Sequence, residues 1–160
     1  MSTVDAPLPA APKLNGPTPH ILIVRAPYYT QIVDGLRDGA IRILTEAGAT
    51  FDVLDVAGAL ELASAIRLAD SGNRPYTGYV ALGCVVRGET DHYDHVCREA
   101  MAGLTYVALH FNLCVGNGLL TVHSDDQAIE RSNQDGHNKG AEAAVAALVQ
   151  IHAARWLGAH

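Results

Sequence analysis

The chain has 160 residues, 49% of them hydrophobic and 18% charged, which is typical of one globular domain with a sizeable core. Its formal net charge of −6 and its 11 scattered Lys and Arg residues argue against binding to nucleic acid or to an anionic membrane surface. Small molecules or further copies of the same chain are therefore the expected partners.

The three cysteines have no metal-type spacing, and an odd number argues against a disulfide framework. We expect a reducing, cytoplasmic setting. No stretch is long and apolar enough to span a bilayer, and the N-terminus lacks the pattern of a secretory signal.

Residues 1–19 differ in composition from the rest, since five prolines punctuate them and no hydrophobic period is present. We interpret them as a flexible arm, able to lie on a neighbouring subunit. The folded domain is expected to cover residues 20–160.

Apolar runs alternate with helical patterns from His20 onward. Runs typical of buried strands cover residues 21–26, 51–56 and 79–86, and a fourth is centred on 119–122. A helix is predicted after Thr30, its expected N-cap, and ends near Gly48. A short helix follows Gly58, another opens at Asp91, and an Ala-rich helix covers residues 139–157.

A further short helix is predicted between the fourth strand and the last helix. Residues 124–127 read as a capping box, and this helix ends near Arg131. Alternating strands and helices with short loops predict an α/β fold with a parallel sheet covered on both faces.

Polar and aromatic residues follow several of the predicted strands. Tyr28, Glu61, Gly88 and His92 all come shortly after a strand end. Because ligands in open parallel sheets bind beyond the carboxyl ends of the strands, we expect these residues to converge on one edge.

The turn at residues 88–90 is a candidate anion site beside a proton shuttle. A strand, a glycine turn and a helix start present free backbone N–H groups, and His92 lies in the first helical turn. Glu89 and Asp91 add negative charge, so a bound phosphate would need Arg87 or Arg131. The alternative is an ordinary loop, capped by Thr90 or Asp91 and followed by a surface histidine.

Other candidates also have two interpretations. Tyr28 or Tyr29 suits stacking on a planar heterocycle, but both fit partly buried tyrosines. Glu61 is favourable at a helix N-terminus whether or not it binds a ligand, whereas Lys139 is unfavourable there and suits a negative partner. We discount a metal at His92 and His95, since no third ligand has recognisable spacing.

Five motifs in chain order resemble the 6,7-dimethyl-8-ribityllumazine synthase family. The strongest covers residues 82–97 and reads L-G-x-V-x-R-G-x-T-x-H-Y-D-x-V-C. The others are G-A-x-E at 58–61, G-x-L-T at 118–121, Q-A-x-E-R at 127–131 and N-K-G at 138–140. The resemblance extends from about Ile21 to the last helix, which is most of the chain beyond the arm.

This resemblance implies a flavodoxin-like three-layer sandwich with a four-stranded parallel sheet. It implies homopentamers whose active sites lie between adjacent subunits. The reaction would join 5-amino-6-(D-ribitylamino)uracil to 3,4-dihydroxy-2-butanone 4-phosphate in riboflavin biosynthesis, without cofactor or metal.

The resemblance also assigns roles to individual positions. His92 matches the histidine that transfers protons, Tyr28 the aromatic that stacks on the pyrimidine, and Glu89 and Thr90 the phosphate turn. Arg131 would reach that phosphate from the neighbouring subunit. The substrate-binding positions as a whole are Tyr28, Ala59, Leu60, Glu61, Cys84, Val85, Val86, Glu89, Thr90, Asn117, Arg131 and Lys139.

Several positions depart from the usual family pattern. Tyr28 replaces Phe or Trp, Asn117 and Leu60 each replace a frequent Phe, and Glu89 replaces a small or hydroxyl residue. A carrier of flavins or lumazines and a purely structural assembly protein therefore remain alternatives. A flavodoxin-like signalling or electron-transfer domain fits less well, because residues 26–28 offer no phosphoacceptor or flavin phosphate loop. Pro19, before the first strand, favours a free pentamer over a shell.

Overall fold

Four strands form one parallel sheet in the computed structural model, which describes residues 8–134 and 136–159. They are β1 (His20–Ala26), β2 (Thr50–Asp55), β3 (Gly78–Val86) and β4 (Val115–Val122), in the order β2-β1-β3-β4. This is the order of a flavodoxin-like doubly wound sheet, so the expected fold class is confirmed.

The helices are α1 (Thr30–Glu46), α2 (Glu61–Asp70), α3 (His92–His110), α4 (Asp125–Ser132) and α5 (Lys139–Leu157), with a 3-10 turn at Pro27–Tyr29. Each predicted helix is present. The predicted caps are only partly right. Thr30 is the first residue of α1 and not its cap, because its Oγ1 donates to the Pro27 carbonyl while Tyr29 occupies the N-cap.

The predicted capping box at α4 also differs in one bond. Ser124 Oγ accepts from the Gln127 backbone N–H at 3.4 Å, as expected. Gln127 Oε1, however, accepts from the His123 N–H at 2.9 Å and not from Ser124. The glutamine therefore holds the residue that links β4 to α4.

The two faces of the sheet carry separate cores, because side chains alternate along each strand. Ile21 and Leu82 face α1 and α5, whereas Leu22 and Ala81 face α2 and α3. All four are almost fully buried. The three-layer sandwich thus rests on strands that are apolar on both faces, as predicted for a parallel sheet.

The N-K-G motif has a structural basis at the junction of three helices. Asn138 is 1% exposed; its Nδ2 donates to the carbonyls of Gly35, Ser132 and Asn133, and its Oδ1 accepts from Ala141 N–H. A Cβ at Gly140 would overlap the Leu36 carbonyl. Glycine therefore lets α5 approach α1 closely, which places Lys139 at the start of α5.

The described part of the arm, residues 8–19, lies against the chain's own domain. Ala11 and Leu14 pack on the core under α1 and α5. Arg155 donates to the carbonyls of Asn15 and Pro17 at 2.7 and 2.6 Å. Residues 1–7 of the predicted arm are outside the described residues. None of the described helices is long and apolar enough to cross a membrane.

Candidate active site

A cleft of about 410 Å³ opens at the carboxyl ends of β1, β2 and β3. This size suits a small-molecule ligand. Nine of the predicted site residues line it, namely Tyr28, Ala59, Leu60, Glu61, Cys84, Val85, Val86, Thr90 and His92. The structure therefore brings together segments that are more than 60 residues apart in the chain.

Two tyrosines form the side of the cleft that follows β1. Tyr28 is 78% exposed, and its ring meets the edge of Tyr29 with the centroids 5.2 Å apart. Tyr29 is less exposed, and desolvation raises the pKa of its phenol. Tyr28 thus presents a free aromatic face, the arrangement needed to stack on a planar ring.

The loop between β2 and α2 forms a second wall of the cleft. Its backbone turns tightly, with the Glu61 N–H donating to the Gly58 carbonyl and the Leu62 N–H to the Ala59 carbonyl. A Cβ at Gly58 would lie 3.1 Å from Glu61 Oε2, so the carboxylate folds back over the glycine. Glu61 thereby holds a hydrogen-bond acceptor at the cleft, at the favourable N-terminus of α2.

The end of β3 forms the floor. Cys84 is only 5% exposed, and burial raises the pKa of its thiol to about 12. A thiol with that pKa stays protonated at neutral pH, so Cys84 is not an activated nucleophile. With Val85 and Val86 it supplies a mostly apolar surface.

The turn after β3 places His92 at the rim. Its side chain is exposed, and its backbone N–H points to Thr90 Oγ1 at 3.4 Å. A Cβ at Gly88 would meet nothing within 4 Å, so the turn borders open space. An imidazole able to exchange protons and a turn with accessible backbone groups therefore share one cleft.

Four of the predicted residues lie outside this lining: Glu89, Asn117, Arg131 and Lys139. Asn117 is exposed on β4, where its amide contacts Met101 and the Leu119 N–H. Arg131 bonds the Gln127 carbonyl and Glu130. Lys139 Nζ lies 2.7 Å from Glu142.

No lysine or arginine is among the described residues that line the cleft. Arg87, the nearest candidate in sequence, lies over the ring of Tyr93 and 3.6 Å from Asp94. The described residues of the cleft therefore expose a backbone turn but no cationic side chain.

The predicted site residues omit six that line the cleft, namely Tyr29, Ala57, Gly58, Gly88, Tyr93 and Val96. Val96 lies one helical turn after His92, so the i,i+4 relation on α3 was an available signal. Tyr93 had no such signal, because the adjacent residue on a helix normally faces another direction.

A four-stranded parallel sheet in the order β2-β1-β3-β4, with helices on both faces and a cleft at its carboxyl edge, defines a flavodoxin-like α/β protein. Residues 18–155 match the family model described as 6,7-dimethyl-8-ribityllumazine synthase. The chain belongs to this family, which confirms the resemblance found in its motifs.

Curated relatives extend this match along most of the chain. A Bartonella tribocorum protein named 6,7-dimethyl-8-ribityllumazine synthase is 47% identical over 133 residues, covering 83% of this chain and 88% of its own. A Rhizobium meliloti protein named 6,7-dimethyl-8-ribityllumazine synthase 1 is 46% identical over 144 residues, covering 88% and 94%. An Agrobacterium fabrum protein with the name 6,7-dimethyl-8-ribityllumazine synthase is also 46% identical, covering 88% and 97%.

Proposed function

We propose that this chain is a transferase that forms 6,7-dimethyl-8-ribityllumazine in riboflavin biosynthesis. Its substrates are 5-amino-6-(D-ribitylamino)uracil and 3,4-dihydroxy-2-butanone 4-phosphate, and phosphate and water are released. The observation that carries this proposal is the convergence of Tyr28, Thr90 and His92 on one cleft in a member of this family.

The reaction consists of steps that move protons at carbon, nitrogen and oxygen. The pyrimidine amine attacks the ketone and water leaves to give an imine; phosphate is eliminated next, and ring closure expels a second water. His92 exchanges the protons, an effect worth ~10²–10⁴-fold. Holding both substrates together supplies the larger part of the rate enhancement, because approximation can lower an activation barrier by about 7–11 kcal/mol.

The binding roles proposed here are those that the family resemblance implies for residues in and beside the cleft. Tyr28 stacks on the pyrimidine, and residues 84–86 lie against its edge. Residues 59–61, with the Glu61 carboxylate, hold the ribityl hydroxyls. The backbone at Glu89 and Thr90 holds the phosphate, so the Glu89 side chain can point away from it.

The phosphate cation comes from an adjacent subunit in this proposal. No cationic side chain lines the cleft within the described chain, whereas Arg131, Lys139 and Asn117 lie elsewhere on the surface. Leu68, Tyr106 and Leu109 are exposed on α2 and α3, which is typical of a contact surface between copies. We infer a homopentamer with active sites between neighbouring subunits.

A cytoplasmic location is consistent with the thiols. Cys84, Cys97 and Cys114 are all free, and burial raises the pKa of each. Free cysteines of this kind persist in a reducing compartment.

One assay tests the proposed activity. The purified chain is mixed with both substrates, and the fluorescence of the lumazine is followed with time. Formation that depends on both substrates and on protein concentration is expected. A protein that binds lumazine tightly but forms none would instead be the carrier considered from the sequence.

A further inference from the structure

The helix turn that carries His92 lacks a side-chain cap. Asp91 occupies the N-cap position of α3, but its side chain makes no capping hydrogen bond. Its carbonyl is shared between the N–H groups of Asp94 and His95 at 3.1 and 3.2 Å, and the His92 N–H reaches Thr90 only at 3.4 Å. The turn therefore has only weak capping of its own, and contacts with other elements can add to its stability.

Tyr93 makes such contacts with the ends of two strands. The Arg87 guanidinium, which follows β3, lies 5.3 Å from the centre of its ring. The His123 ring, which follows β4, meets it edge-on with the centroids 6.1 Å apart. The phenol hydroxyl interacts with Thr121 on β4 and with Cys97 one turn further along α3.

Backbone hydrogen bonds fix the positions of Arg87 and His123. The Arg87 N–H donates to the Val122 carbonyl at 2.9 Å, and the His123 N–H donates to Gln127 Oε1 at the same distance. Desolvation raises the pKa of Tyr93, so the phenol stays neutral at pH 7 and causes no repulsion with Asp94. One neutral ring thus connects the start of α3 to β3 and β4.

We propose that Tyr93 is a positioning residue, which holds the first turn of α3 against the ends of β3 and β4 and so directs His92 into the cleft. This inference rests on the proposed function, because it concerns the residue to which proton transfer is assigned. In this role Tyr93 does not touch the reacting atoms.

Two variants and one control test this role by steady-state kinetics. Tyr93→Ala is expected to lower kcat about 10- to 100-fold, since small misplacements of a catalytic group can cost ~10²-fold. Its KM values should change by less than about 3-fold, because the substrate contacts proposed above are intact. Tyr93→Phe keeps the ring contacts and should remain within about 5-fold of the parent.

Tyr76→Ala is the matched control. Tyr76 also makes a side-chain hydrogen bond, to Asp52 at 2.8 Å, and a ring contact, with His20, but it precedes β3 at the opposite edge of the sheet. An unchanged kcat is expected. An equal fall in both alanine variants would indicate general loss of stability and would overturn the proposal.

A double-mutant cycle separates positioning from other effects. If Tyr93 acts through His92, Tyr93→Ala should have almost no further effect on kcat in a His92→Gln background. Fully additive losses would overturn the proposal.

An NMR measurement on the same assembled protein tests the proposal without relying on enzymatic activity. With the histidines ¹³C-labelled, the imidazole signal absent from His92→Gln identifies residue 92. A shifted His92 signal in Tyr93→Ala supports the proposal if the other imidazoles are unchanged apart from His123, whose ring contacts Tyr93 directly. This holds even if the parent forms no lumazine and the proposed function fails. An unchanged His92 signal overturns it.

Discussion

The side chains of His92 and Cys84 line the same cleft but differ in their exposure to water. His92 is exposed at the start of α3, where water can reach the imidazole. Cys84 is buried at the end of β3, and its raised pKa keeps the thiol protonated. The proposed function therefore assigns proton exchange to His92, whereas Cys84 shapes the apolar floor.

Replacing His92 tests this division. His92→Ala is expected to lower kcat by ~10²–10⁴-fold without abolishing turnover, because approximation of the two substrates is retained. Lumazine fluorescence measures the rate, and His152→Ala, an exposed histidine on α5, is the control. Complete inactivity in a folded His92→Ala protein would contradict approximation as the main source of rate.

Single polar side chains join separate elements of the fold at two places. Arg25 on β1 bonds Asp55 on β2 through two nitrogens and Asp34 on α1 through a third. Asn138 joins α1, the end of α4 and the start of α5. Arg25 fixes strands whose ends border the cleft, and Asn138 fixes the start of α5, which carries Lys139.

Loss of the Asn138 side chain should be strongly destabilising. Asn138→Ala removes the N-cap of α5 and the amide donor to three carbonyls, although Gln134 Nε2 still donates to those of Gly35 and Ser132. The expected loss is about 2–4 kcal/mol in the free energy of unfolding. Denaturant unfolding measures it. Ser124→Ala removes an exposed cap at α4 and should cost about 1 kcal/mol or less. Equal losses in the two variants would contradict the junction described for Asn138.

The Arg25–Asp55 pair predicts part of the acid sensitivity. The hydrogen bond from Arg25 lowers the pKa of Asp55 in the folded state. The stabilisation that the ionised Asp55 gives the folded state is therefore complete above the pKa of ~4 in the unfolded chain. It is lost as the pH falls through the lower pKa of Asp55 in the folded state. The loss should not exceed about 1 kcal/mol, because 51% of the Asp55 side chain is exposed and water screens the pair.

Thermal unfolding measured at a series of pH values between neutral and about 3 tests this effect. Asp55→Asn should depend less on pH below ~4 than the parent. Glu99→Gln is the control, an exposed carboxylate without an ion-pair partner among the described residues. Identical pH dependence in Asp55→Asn and the parent would contradict the assignment.

At the scale of the whole molecule, the described residues that line the cleft include His92 and Tyr28 but no lysine or arginine. A phosphorylated substrate needs positive charge to offset the loss of its hydration. The proposal that Arg131 of an adjacent subunit supplies this charge makes catalysis dependent on assembly. Dilution that separates subunits should then remove activity before it unfolds the chain.

Mixed assemblies test the sharing of the site. His92→Ala and Arg131→Ala chains are purified, dissociated in mild denaturant and reassembled together. Some sites then combine an intact His92 with an intact Arg131 from the neighbour, so activity should exceed that of either variant reassembled alone. No recovery in assemblies shown by mass to be mixed would contradict a site shared between subunits.

Local patterns in the sequence determined much of this protein. Apolar runs and helical spacing predicted the four strands and five α-helices of the described residues, although β4 begins at Val115, before the residues on which it was centred. Five motifs identified the family, and nine of the predicted site residues line the cleft because parallel strands all end at the same edge.

Tertiary structure decided what depends on contacts between distant segments. Residue spacing did not predict three contacts. The Thr30 hydroxyl donates to the Pro27 carbonyl, and the Gln127 side chain accepts from the His123 N–H. The Arg87 guanidinium lies over the Tyr93 ring. Tyr93 meets Thr121 and His123 only because β3 and β4 pair in one register, with Val86 beside Val122. Periodicity acts over a few residues, whereas such contacts require the packed sheet, and for this reason only the fold reveals them.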